Sequence, residues 1–103
     1  MSFDVRWSAE GRADLLRLLG FLLDRALTVD DLSAADLAIA AIEHAVDHQL
    51  ARTPFIFRRV GASFTTRELI IPHGATGYVA RYEILPETVL VLGVRHQREE
   101  DYR

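Results

Sequence analysis

Beyond its first seven residues, the apolar residues of this 103-residue chain change their spacing once, at Pro54, and that switch limits the fold more than any other feature. Before it they recur every three or four positions, the period of a helix with one buried face. After it they alternate, the period of a strand. Proline has no backbone N–H to continue a helix, so Pro54 is a boundary as well as a marker.

Residues 3–7 alternate and read as a short half-buried strand ahead of the helical half. Ser8 can cap a helix and Glu10 suits its first turn, so the first helix should run to about Leu27. Leu15, Leu18, Leu19, Leu22 and Leu23 give it a wide apolar face, with Asp14, Arg17 and Asp24 opposite. Thr28 and Asp30 mark a break. Ser33 followed by Asp36 then reads as the cap of a second helix that reaches Arg52. Its many alanines allow close approach, and the two helices form an αα-hairpin.

Beyond Pro54, residues 55–60 read as a short strand or an extended lead-in, and 66–71, 78–85 and 88–95 as strands. Turn chemistry occupies 72–77 and Pro86-Glu87. Strands joined by such short turns must pair antiparallel. The expected fold is one domain over residues 1–103, of α+β class and order β-α-α-β-β-β. Its helical hairpin packs on one face of a mainly antiparallel sheet, a two-layer sandwich.

The chain has no cysteine, which excludes disulfides and thiolate metal sites and suits a reducing compartment. No stretch is long and apolar enough to span a membrane, and the N-terminus lacks a signal-peptide layout, so the expected location is cytoplasmic. Charge is unevenly placed. Residues 1–51 hold four arginines against nine acids, whereas residues 52–98 hold seven against three. Every fixed side-chain cation is an arginine, suited to bidentate contact with carboxylates and phosphates.

No Gly-rich phosphate loop, nucleophile elbow or zinc-binding thiol pair is present, and no cofactor is expected. His44 and His48 stand four apart on the second helix, a two-ligand spacing, but with no evident third ligand they read as part of a solvated helix face and no metal is expected. Arg67, Arg81, Arg95 and Arg98 form the basic element of the strand half. Arg81 falls on the sheet face away from the helices, either as part of a basic surface for an acidic partner or phosphate backbone, or in a cross-strand pair with Glu68. The last strand ends in Arg95-His96-Gln97-Arg98. His96 is there a candidate general base, since neighbouring cations favour the neutral ring, or simply a strand-end histidine. The apolar face of the first helix, with Leu15, Leu19 and Leu22, serves either a partner helix or the chain's own core.

These stretches, from SAEGRADLLRLLGFL through TRELIIP and GYVARYEI to VLVLGVRHQREEDY, resemble the RelE/ParE superfamily of bacterial type II toxins over nearly the whole chain. The resemblance implies a small cytoplasmic toxin of the plasmid-stabilisation type, neutralised by a ParD-like antitoxin whose C-terminal segment wraps it and sets acids against toxin arginines. It implies neither membrane attachment nor sequence-specific DNA binding. Its RelE branch cuts messenger RNA on the ribosome. The strand arginine of that branch corresponds to Val79 here, its lysines have no counterpart, its C-terminal tyrosine matches Tyr102, and His96 replaces a catalytic arginine. A nuclease of that type would use His96, Arg81 and Tyr102. The ParE branch instead inhibits DNA gyrase by binding, and commonly ends its last strand in a tripeptide such as His96-Gln97-Arg98 followed by acids. Arg67-Glu68-Leu69 is also similar to that branch. On these residues the chain resembles the ParE branch more closely, as a binder rather than an enzyme, with Arg67, Arg81, Arg95, His96, Arg98, Leu15, Leu19 and Leu22 meeting antitoxin or target.

Overall fold

The computed structural model describes residues 2–99. The chain runs through β1 (Asp4–Trp7), α1 (Ala9–Asp24), α2 (Val29–Arg52), a 3₁₀ turn (Pro54–Ile56), β2 (Arg58–Arg59), β3 (Thr66–His73), β4 (Thr76–Ile84) and β5 (Thr88–His96). All five strands belong to one sheet, in the order β1-β5-β4-β3-β2. The pairs among β2 to β5 are antiparallel, and β1 adds to β5 in parallel. Both helices pack on the same face, which gives the α+β two-layer sandwich expected from the periodicity.

Local chemistry explains the element ends. The Ser8 hydroxyl accepts the Gly11 N–H at 2.9 Å and starts α1. At Gly11 the helix lies so close to β5 that a Cβ would stand 2.8 Å from the Val91 carbonyl oxygen, so only glycine fits. The second helix begins earlier than Ser33. Thr28 caps it, accepting the Asp31 N–H at 3.1 Å, and the Asp31 carboxylate in return accepts the Leu27 N–H at 2.9 Å. That reciprocal pair satisfies two donors at once, so the helix extends back through Ser33.

The β3–β4 turn is likewise tighter than the 72–77 reading. Pro72 pairs with Gly77 and His73 with Thr76, leaving Gly74, at φ 63°, and Ala75 to turn the chain. Pro72 is tolerated because β2 pairs only with Arg67 and Glu68, and among the described residues no strand lies on that edge of β3 beyond them.

Leu15 and Leu18 of α1 and Ile42, Val46 and Leu50 of α2 cover a sheet face made by Leu69, Ile71, Tyr78, Ala80, Tyr82, Ile84, Val89, Val91 and Val94. Between β4 and β5 the register shifts: Arg81 faces Gly93, but Tyr82 faces Val91, so Leu92 is the extra residue of a bulge. The bulge keeps Val89, Val91 and Val94 on the covered side although their numbering breaks strict alternation. Tyr82 is fully buried, and its hydroxyl donates to the Pro54 carbonyl at 2.6 Å. Burial pushes its phenol up to about 12, against a smaller lowering by the charge of Arg67. No described helix is long and apolar enough to cross a membrane.

Candidate functional site

Register sorts the strand arginines onto opposite faces of the sheet. Arg81 faces Glu68 on β3 and Gly93 on β5, on the side away from the helices. The Glu68 carboxylate is clamped by two guanidiniums. Arg81 donates from Nε and Nη2 to Oε2 at 3.1 and 2.7 Å, and Arg58 donates from Nε and Nη2 to Oε1 at 3.1 and 2.8 Å. Burial alone would raise the Glu68 carboxyl, but hydrogen bonds and charge from Arg81 and Arg58 outweigh it and hold it below the usual carboxylate range. Beside this clamp, Glu83 accepts the hydroxyls of Thr65 and Thr66 at 2.6 and 2.5 Å. Those two donors lower its carboxyl against a smaller opposing effect of burial.

Arg95 shares this open face, opposite Val79, and its Nη1 donates to the carbonyls of His96 at 3.4 Å and Glu99 at 3.3 Å. Val79 is 1% exposed. The strand position that an arginine fills in the RelE branch is therefore a packed apolar contact between Ile70 and Arg95. By register Arg6 and Asp4 complete the face, which thus carries Arg6, Arg58, Arg81 and Arg95 against Asp4, Glu68 and Glu83 among the described residues. Its cations are largely answered by its own acids.

Arg67 is not part of that surface. It faces Tyr82 on the covered side and is buried at 7% exposure. Its guanidinium donates to the main-chain carbonyls of Phe64 at 3.0 Å, Phe55 at 2.8 Å and Phe57 at 2.8 Å. The Phe55 and Phe64 rings flank it, with centroids 5.6 and 5.0 Å from the cation. Arg67 ties the irregular segment around the 3₁₀ turn to the sheet, and an expected partner-binding cation is a structural one. The signal was in the sequence: Arg67, Leu69 and Ile71 share one phase of the strand alternation.

His96 also belongs to the covered side. It faces Tyr78, with ring centroids 5.4 Å apart at 88°, at the far end of the sheet. Its Nδ1 accepts the backbone N–H of Arg98 at 3.0 Å. The Nδ1 of the candidate general base is thus engaged by a main-chain donor. Burial raises the Tyr78 phenol beside it.

Near His96, Arg17 of α1 forks onto the Glu99 carboxylate at 3.0 and 3.4 Å, a link across 82 positions that no local pattern announces. A recess of about 310 Å³ lies beside it, lined by Arg17, Leu18, Phe21, His96, Arg98 and Glu99. His96 and exposed Arg98 therefore meet at one place, and Arg81 lies across the sheet from them. Tyr102 lies outside the described residues.

The apolar helix face divides. Leu15 is core, at 9% exposure, and offers a partner little. Leu19 borders a groove of about 290 Å³ with Leu16 and Ile39, and Leu22 borders one of about 310 Å³ with Ala35, Ala38 and Tyr78. Among the described residues, the most exposed large apolar side chains are Leu16, Leu27, Val29 and Leu37 on and between the helices, with Ile56 at the 3₁₀ turn. Leu27 and Val29 flank the interhelical turn and are 91% and 76% exposed. His44 and His48 are exposed and stack at 5.3 Å, with no third candidate metal ligand beside them among the described residues.

Residues 5–101 match the family described as ParE toxin of type II toxin–antitoxin system, parDE. The chain is 38% identical over 95 residues to Toxin RelE3 of Caulobacter vibrioides, an overlap of 92% of this chain and 95% of the relative. It is 37% identical over 100 residues to Toxin RelE1 of the same organism, covering 97% and 99%. Among solved structures, the chromosomal ParDE toxin–antitoxin system of P. aeruginosa superposes with a TM-score of 0.70 at 14% identity, over 91% of this chain and 95% of that one. The RelBE2 toxin–antitoxin complex of Mycobacterium tuberculosis gives 0.64 at 22% identity, over 96% and 95%. Those two likenesses establish the shared fold.

Proposed function

This chain belongs to the ParE toxin family of type II toxin–antitoxin systems, and from that premise we propose that it acts by binding rather than by cutting RNA. In this reading the free toxin inhibits DNA gyrase, and a ParD-like antitoxin neutralises it by covering the helical hairpin and the adjoining sheet end. The observation that carries the proposal is the separation of His96 from Arg81 by the sheet itself. RNA cleavage needs a base within hydrogen-bond reach of the attacking hydroxyl and a cation at the same phosphate. Here the imidazole Nδ1 is held by Arg98, and the Arg81 guanidinium is held by Glu68 on the opposite face. The absence of lysine removes a further source of phosphate-stabilising charge. A supercoiling assay with toxin freed from its antitoxin tests this. Inhibition at micromolar toxin, retained in His96→Ala, is the expected result, and normal supercoiling at that concentration would refute it.

The names of the two Caulobacter relatives favour a second reading, a ribosome-dependent endonuclease of the RelE type. Primer extension on a translated message separates the two. Codon-linked cuts that vanish in His96→Ala would establish the nuclease and displace the binding proposal.

A further inference from the structure

Strand β5 outruns its neighbour. The parallel pairing ends at Trp7 with Val91, and among the described residues the edge of β5 from Leu92 onward has no strand beside it. Side chains of α1 stand in for one. The Asp14 carboxylate accepts the Val94 N–H at 2.9 Å, and Arg17 donates from Nη2 to the Val94 carbonyl at 3.2 Å. Farther along the same edge the Glu99 carboxylate accepts the His96 N–H at 2.6 Å, while the Arg17 fork holds both its oxygens. A main-chain N–H and a two-pronged guanidinium converging on one carboxylate are the elements of a carboxylate-recognition site. Glu99 fills it from within the chain.

We propose that this site recognises an acidic side chain of the antitoxin, which takes the place of Glu99 on Arg17 and the His96 amide. The inference rests on the antitoxin reading above and names its chemistry. Two features support exchange. The Arg17 and Glu99 side chains are 46% and 39% exposed, and an ion pair so open to water holds its partner weakly. The adjoining recess, with Leu18 and Phe21 as its apolar lining, also carries two cations, Arg17 and Arg98. Among the described residues, the carboxylates that face Arg17 are Asp14, committed to the Val94 N–H, and Glu99 itself. The matching ligand is a peptide that sets a large apolar side chain on Leu18 and Phe21 and an Asp or Glu within reach of Arg17. A second copy of this chain, with acids and leucines of its own, is the competing occupant.

Removing the internal carboxylate tests the site directly. In ¹⁵N-labelled Glu99→Ala, added acetate should move the His96 amide resonance saturably back toward its wild-type position. It should have no such effect in Glu99→Ala/Arg17→Ala. No return with acetate, or an equal return with inorganic phosphate at matched ionic strength, would overturn carboxylate recognition. The partner is tested by binding of the purified cognate antitoxin. Glu99→Gln should tighten it about two- to fivefold, the range expected of an exposed ion pair, mainly through slower dissociation. Unchanged or weaker binding would overturn the exchange, and a concentration-dependent dimer of Glu99→Gln would assign the site to a second copy instead. Failure of the wild-type chain to bind the antitoxin at all would refute the antitoxin reading itself, which acetate rescue does not touch.

Discussion

One sheet in this protein has two faces held by different physics. On the covered face the work is apolar burial, with Ile42, Val46, Leu50, Val89, Val91 and Val94 inaccessible to water. Arg67 and the Tyr82 hydroxyl enter it, and both bond to main-chain carbonyls. On the open face the contacts are ionic and hydroxylic: Glu68 between Arg58 and Arg81, and Glu83 under Thr65 and Thr66. The contrast teaches that a row of arginines along strands is not by itself a phosphate surface. Alternation sends one of them inside, and carboxylates engage others before any ligand arrives.

The largest test of this contrast is on the covered face. Leu50→Ala removes a fully buried side chain and should cost about 2–5 kcal/mol of folding stability, read from urea unfolding. Ile70→Ala on the open face, where the side chain is partly in water, should cost less than about 1 kcal/mol. Equal losses would break the distinction. Next, Tyr82→Phe keeps the ring but leaves the buried Pro54 carbonyl without its donor, at about 1–3 kcal/mol. A neutral result would mean that water replaces the hydroxyl and that the turn is wetter than its burial indicates.

A further test belongs to the open face. Glu68→Gln should cost about 1–2 kcal/mol, since Arg58 keeps more than half its side chain in solvent. Its signature is the pH profile. Glu68 and Glu83 have carboxyls held below their ordinary value of 4.5, so their contribution is complete above that pH and is lost as pH falls through the lower folded values. Wild-type stability should therefore decline below about pH 4.5, and Glu68→Gln should decline less steeply. Parallel acid limbs for the two proteins would show that Glu68 is no better stabilised folded than unfolded.

Much of the architecture was legible because it rests on local rules. The period switch at Pro54, the Ser8 cap and the turn at Pro86 lie within a few residues of the elements they control. The start of α2 was misplaced because Thr28 and Asp31 cap reciprocally, and Asp at that position was passed over in favour of Ser33. The candidate site was less legible. Arg67 gave its position away through its phase with Leu69 and Ile71, whereas the bulge at Leu92 shifts the phase of β5 and obscures which face His96 takes. Arg17 and Glu99 carry no mark at all, since their encounter depends on how α1 lies along β5.

The sequence by itself determined the α+β class and the order of elements, because periodicity, caps and turns act over short stretches of chain, and the resemblance of its stretches to the RelE/ParE superfamily pointed to type II toxins. Tertiary structure alone decided which cations remain open to a partner. The Arg81–Glu68 pair was one of two readings the strands offered, but Arg58 joins it only when three strands come into register, and Glu99 meets Arg17 only across the edge that β1 leaves uncovered. Charge pairing of that kind depends on distance in space, which residue spacing along the chain does not encode.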